Sequence, residues 1–92
     1  AAQALQDAFV SRSVVRFDYR DERQHASTRH VEPQYLLLNH PAWYLLGYDR
    51  GRSAGRTFRI DRIGNVSVTG ERFGSRSAAS LSAHLDEVFE PL

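Results

Sequence analysis

Every basic side chain of this 92-residue sequence apart from its four histidines is an arginine, twelve in all, because Lys is absent. Five of the twelve, Arg50, Arg52, Arg56, Arg59 and Arg62, fall between residues 50 and 62. Paired guanidinium forks bind phosphate and carboxylate oxygens through charge-assisted hydrogen bonds. The clustering therefore points to anion recognition, whereas the all-Arg count alone is what a GC-rich genome produces. Other chemistry is poorly supplied. Gly51-Arg52-Ser53-Ala54-Gly55-Arg56-Thr57 echoes a phosphate-binding loop, but it has three residues between the glycines where four are needed and Arg where the motif has Lys. It also leads into an extended segment rather than a helix N-terminus, so it reads as a hairpin loop. His25, His30, His40 and His84 are scattered without an i, i+4 pair, and there is no Cys to complete a metal site. The serines lack a G-x-S-x-G elbow, and Glu87 and Glu90, one helical turn apart, read as a solvated face. Binding is expected rather than catalysis, with no metal and no cofactor.

The elements that must position these groups follow from periodicity. Leu5, Ala8 and Phe9 at i, i+3, i+4 spacing predict a helix over residues 2–12. Val15, Phe17 and Tyr19 alternate with polar residues and predict a half-buried strand over 13–20. Residues 21–27 are polar and read as a loop, and 28–38 as an extended segment bent at Pro33, which cannot donate a ladder hydrogen bond. Asn39-His40-Pro41-Ala42 predicts a turn and Trp43-Tyr44-Leu45-Leu46-Gly47-Tyr48 a central strand. A strand over 56–63 alternates Phe58 and Ile60 against Arg59 and Asp61, and a short strand follows at 65–69. Trp43, Leu45, Phe58 and Ile60 are the expected core, with Trp43 more suited to anchoring a small barrel than to stacking on a base. Residues 74–80 read as a linker, and Leu81, Leu85, Val88 and Phe89 give the segment after it an amphipathic helical pattern. The pattern is mainly β: a small, strongly bent five-stranded barrel with helical ends.

Composition agrees with one small globular domain, at 41% apolar and 25% charged residues and a formal net charge of +1. No segment approaches the roughly eighteen apolar residues of a membrane span, and the first residues lack the pattern of a signal peptide. The absence of Cys favours a reducing compartment, and the absence of an initiating Met reads as a fragment of a longer chain.

The W-Y-L triplet at Trp43-Tyr44-Leu45 is preceded by Arg29-His30-Val31-Glu32-Pro33 and followed by Phe58-Arg59-Ile60-Asp61-Arg62-Ile63. That order resembles the WYL-domain family of bacterial transcriptional regulators. The resemblance covers residues 4–73 and implies an Sm-like, SH3-type barrel of five strands behind an N-terminal helix. It divides the chain into a WYL domain at 1–73 and, at 74–92, a linker and helix leading toward a C-terminal extension. It further implies an effector site built from Tyr44, Arg59 and Arg62, with Arg29 and His30 as neighbours. The family often carries Gly in the first hairpin loop and before the Trp, where this chain has Asp21-Glu22-Arg23-Gln24 and Ala42.

The resemblance implies a ligand-sensing domain of a helix-turn-helix transcription factor in the cytoplasm, associated with the nucleoid. Its effector would be single-stranded DNA, another nucleic-acid-like molecule or a small phosphorylated ligand. Promoter DNA would be reached through a winged helix-turn-helix domain outside this chain, a second copy could form a homodimer, and no membrane is involved. A protein-interaction or dimerisation module without a small ligand is the alternative.

The residues themselves leave two questions open. Asp61 could pair with Arg59 or Arg62 as an ordinary salt bridge, or the two arginines could form a phosphate clamp. Strict alternation also places Arg62 on the Phe58 face, so joining it to Arg59 requires a strand end or bulge near Asp61.

Overall fold

A computed structural model describes residues 2–74. Helix α1 (Ala2–Ser11) buries Leu5 and Ala8 on one face and ends at Arg12, whose φ of 53° turns the chain sharply. Five antiparallel strands follow: β1 (Ser13–Arg20), β2 (Ala26–Asn39), β3 (Ala42–Asp49), β4 (Ala54–Arg59) and β5 (Ile63–Arg72). A single 3-10 turn, Ile60–Arg62, joins β4 to β5. The spatial order is β4-β3-β2-β1-β5.

This order corrects the closed barrel expected from the sequence. Among the described residues β4 and β5 are the two edges, and no ladder joins them, so the sheet is open. A three-residue connection nonetheless spans only roughly 13 Å at full extension. The two edges must therefore converge at that corner, and the sheet is strongly curled.

Register explains the core. Val15 faces Val31 and Phe17 faces Arg29 across β1 and β2, while Leu45 faces Phe58 across β3 and β4. Successive side chains of a strand alternate between faces, so these residues share the inner face. There α1 covers them, and Leu5, Ala8, Val15, Phe17, Val31, Leu45 and Phe58 form one buried cluster. Phe17, Tyr19 and Phe58 meet edge to face, with centroids 5.1 to 6.4 Å apart.

The bend expected at Pro33 is a bulge: Pro33 faces Gly47 but Tyr35 faces Leu46, so β2 carries one extra residue there. A Cβ on Gly47 would stand 2.5 Å from Val31 Cγ1 and 2.6 Å from the Glu32 carbonyl, which is why this strand position holds glycine.

Two further expectations change. The strand read over 56–63 stops at Arg59, because the Arg59 N–H donates to the Tyr19 hydroxyl at 3.0 Å and Ile63 N–H then closes the turn onto Ile60 O. Trp43 is not a core residue: it is 51% exposed. The β3–β4 ladder ends at Tyr44↔Arg59, so no strand reaches far enough to cover Trp43 on that side. Ile60 packs at the rim of the core, partly buried, while Leu45 and Phe58 are buried as expected. The helix expected near the C-terminus lies outside the described residues.

Aspartate replaces glycine as organiser of the β1–β2 turn. Asp21 Oδ1 accepts the Arg23 and His25 N–H groups at 2.9 Å each, and Gln24 takes the left-handed conformation at φ 67°.

Burial sets the expected mutational ranking. Phe58→Ala should lower unfolding free energy by about 3–5 kcal/mol, and Trp43→Ala, which forfeits only half-buried area, by about 1 kcal/mol. Urea denaturation of both variants checks this order, and a larger loss at Trp43 would contradict it.

Candidate functional site

Tyr44 and Arg59 face each other across β3 and β4, one residue along from the buried Leu45–Phe58 pair, and so occupy the opposite face of the sheet. The 3-10 turn then swings Arg62 back toward them. Of the two arrangements the alternation argument left open, a strand end or a bulge near Asp61, the strand end is found, and it brings Tyr44, Arg59 and Arg62 around one depression of about 420 Å³. Arg56 and Tyr19 line it as well, with Asp21 and Glu22 at its β1 side. Arg62 also walls a neighbouring depression of about 380 Å³ that includes Arg20 and Gln24.

The ion pair between Arg59 and Asp61 is present: Arg59 Nε lies 2.9 Å from Oδ1 and 3.0 Å from Oδ2. Both side chains are substantially exposed, at 35% and 62%, so the pair contributes little to stability, about 0–1 kcal/mol. It uses the Nε edge of the guanidinium and leaves the terminal nitrogens to other acceptors, so salt bridge and anion contact are compatible. Among the described residues, Arg56 and Arg62 form no salt bridge with a carboxylate. Asp21 is committed to its turn, and the N–H donated by His25, with that from Arg23, holds its carboxyl below the ordinary range. The depression thus combines three guanidinium groups, two phenols and two carboxylates.

Arg29 and His30 stand elsewhere. Arg29 shares the inner face with Val31; its Nη1 donates to Asp49 Oδ2 at 2.8 Å, its Nε to Ser27 Oγ at 2.9 Å, and its Cζ lies 5.7 Å from the Phe58 ring centre. Asp49, fully buried, also accepts Gly51 N–H at 3.0 Å and Arg52 N–H at 3.3 Å through Oδ1, closing the β3–β4 loop. His30 alternates to the outer face opposite Arg16 and is exposed. Neither lines the depression that holds Tyr44, Arg59 and Arg62.

Sequence reasoning missed Tyr19 and Arg56. Tyr19 shares parity with Phe17 and reads as core, and only its hydroxyl contact with Arg59 reveals the second role. Arg56 faces Gly47 across the ladder, a pairing that needs the register to be known. The described residues contain no group of three or more His, Cys, Asp or Glu able to hold a metal. None of their helices is long and apolar enough to cross a membrane.

A curled antiparallel sheet with one helix over its inner face and an arginine- and tyrosine-lined depression at a strand end defines a small, mainly β domain. The model of the WYL domain matches residues 1–68, and the chain belongs to the WYL-domain family. It is 45% identical over 62 residues to protein PafB of Mycobacterium leprae, covering 66% of this chain and 19% of that protein. It is 44% identical over 83 residues to PafB of Mycobacterium tuberculosis, covering 89% of this chain and 24% of that protein. Among solved structures it is similar to proteasome accessory factor B/C (PafBC) of Arthrobacter aurescens, with a TM-score of 0.80 and 35% identity over 98% of this chain and 15% of that one. The chain therefore spans a quarter or less of the length of these relatives.

The buried Arg29–Asp49 pair should behave as structure. Asp49→Ala leaves a desolvated guanidinium without its partner and uncaps the β3–β4 loop, a loss of about 3–5 kcal/mol. Urea denaturation reads that loss; a cost below about 1 kcal/mol, the range of exposed pairs, would contradict it.

Proposed function

We propose that this chain is the effector-sensing domain of a transcriptional regulator, and that Tyr44, Arg59 and Arg62, joined by Arg56 and Tyr19, bind single-stranded nucleic acid or a related phosphorylated effector. The convergence of Tyr44, Arg59 and Arg62 on one depression carries this reading. Guanidinium forks suit phosphate oxygens, and a phenol ring offers a stacking surface to an unpaired base. Membership of the WYL-domain family and the kinship with PafB and PafBC support a regulatory role.

The mechanism is a shift of population. Effector bound at the depression favours one arrangement of the full-length regulator, and a DNA-binding domain outside this chain reports that arrangement at promoters. No bond is made or broken. The neighbouring depression beyond Arg62 favours an effector with more than one phosphate, since one guanidinium borders both.

Fluorescence anisotropy of labelled single-stranded and duplex oligonucleotides tests this directly. With three phosphates neutralised at a slope of about −0.7 each, a four-fold rise in salt should weaken single-strand binding about 20-fold. Arg59→Ala and Arg62→Ala should each flatten that slope without unfolding the domain. Salt-insensitive binding, or equal affinity in both variants, would move the function to the protein-interaction alternative.

A further inference from the structure

The depression that gathers the arginines also holds a carboxylate without a partner among the described residues. Of its two acidic side chains, Asp21 is committed to the β1–β2 turn: Oδ1 accepts the Arg23 and His25 N–H groups at 2.9 Å each, and Oδ2 lies 3.8 Å from His25 Nδ1. Glu22 is different. It lines the same depression and is exposed, and among the described residues its carboxylate takes part in no hydrogen bond or ion pair. Its backbone is nonetheless held in place, because Gln24 N–H donates to Asp21 O at 2.9 Å and Asp21 N–H to His25 O at 3.1 Å around it.

A carboxylate in a depression shared with Arg56, Arg59 and Arg62 works against phosphate binding, since like charges repel. It favours a ligand that brings hydrogen-bond donors as well as an anion, and it penalises one that does not. The nucleobases differ in this respect. An ionised carboxylate only accepts, through two oxygens side by side. Guanine presents two adjacent donors on its Watson–Crick edge, N1–H and N2–H, and can meet both oxygens at once. Adenine and cytosine set a ring-nitrogen acceptor next to the amino group, and thymine flanks its single N–H with two carbonyls. Each of these leaves one carboxylate oxygen facing an acceptor. Guanine O6, beside N1–H, is itself an acceptor, and the Arg56 guanidinium and Thr57 hydroxyl in the same depression are donors. At about 420 Å³ the depression falls within the roughly 300–1,000 Å³ of small-ligand sites and suits one base with its phosphate.

We infer that Glu22 selects a guanine nucleotide, its carboxylate accepting the base N1–H and N2–H groups while Arg59 and Arg62 hold the phosphate. The inference rests on the reading of this depression as a nucleotide site and adds a base preference to it. The β1–β2 turn then determines specificity, and the end of β4 with its 3-10 turn supplies affinity. A guanine within a single strand and a free guanine nucleotide share this chemistry.

The test titrates the 92-residue chain into labelled thymidine pentanucleotides that carry guanine, hypoxanthine, adenine, cytosine or thymine at the centre. The guanine strand should bind about 10-fold more tightly than the adenine, cytosine and thymine strands. Hypoxanthine, which keeps N1–H and lacks the 2-amino group, should fall in between. Glu22→Gln should weaken binding of the guanine strand and tighten that of the thymine strand, because it turns one acceptor into a donor and removes a negative charge beside the arginines. A merely structural glutamate would move both in the same direction. Guanosine monophosphate should compete better than adenosine monophosphate. Competition as strong as that of the guanine pentanucleotide identifies the free nucleotide as the ligand, and much weaker competition identifies a strand. Salt-sensitive binding with equal affinity for every strand overturns the base selectivity and leaves the phosphate reading standing. A guanine preference that survives Glu22→Gln overturns the role of Glu22, and failure of every strand to bind at low salt overturns both readings.

Discussion

The hydroxyl of Tyr19 accepts the Arg59 backbone N–H at 3.0 Å while its ring lies edge-on to Phe58, with centroids 5.1 Å apart. The placement of the cationic groups depends on that double contact. An N–H at the end of an edge strand needs an acceptor, and supplying one from a core aromatic ends β4 at a fixed residue. The 3-10 turn starts there, and Arg62 comes back to the side of Arg59. Phe58 is held in turn by Phe17 on one side and by the Arg29 guanidinium on the other. The interior thus positions the surface depression through one phenol.

The arginines divide by what they touch. Arg29 pairs with buried Asp49, and Arg50 donates to buried Glu32 at 2.9 Å and also pairs with Glu71. Arg50 thereby ties the end of β3 to β2 and β5. The largely buried Arg29–Asp49 pair is costly to break from one side, because the remaining charge has little water, whereas Arg50 and Glu71 keep contact with solvent. These pairs resist a one-residue slip, which would send each partner to the opposite face. Arg56, Arg59 and Arg62 stand outside this network: among the described residues Arg59 pairs with the exposed Asp61, and Arg56 and Arg62 form no salt bridge.

Local pattern made much of this legible. Alternation at Val15, Phe17 and Tyr19 located β1, the missing donor of Pro33 signalled a bend or bulge in β2, and the parity conflict at Arg62 signalled a strand end or bulge near Asp61 without fixing the end of β4 at Arg59. The errors share a physical origin. Trp43 read as core because a small barrel needs a large aromatic anchor, but local pattern does not tell how far the opposing element extends, and β4 stops short of it. Local pattern also cannot show long-range register, so the pairing of Arg29 with Asp49, twenty residues away, was not legible, and Arg29 entered as a site neighbour only through the family resemblance. Closure of the barrel failed for the same reason, because whether two edges pair depends on curl accumulated over the whole sheet. The family's turn glycine proved replaceable, since Asp21 supplies acceptors and Gln24 tolerates the left-handed backbone.

Amide hydrogen exchange at Arg59, compared between the wild-type chain and Tyr19→Phe, tests the dependence of the site on the core most directly. Loss of one hydrogen bond worth about 1 kcal/mol should speed exchange at Arg59 about 5-fold. Leu45, in the middle of its ladder, should keep its protection. Unchanged exchange at Arg59 would contradict the claim that the Tyr19 hydroxyl sets the end of β4 and, through it, the arrangement of the arginines.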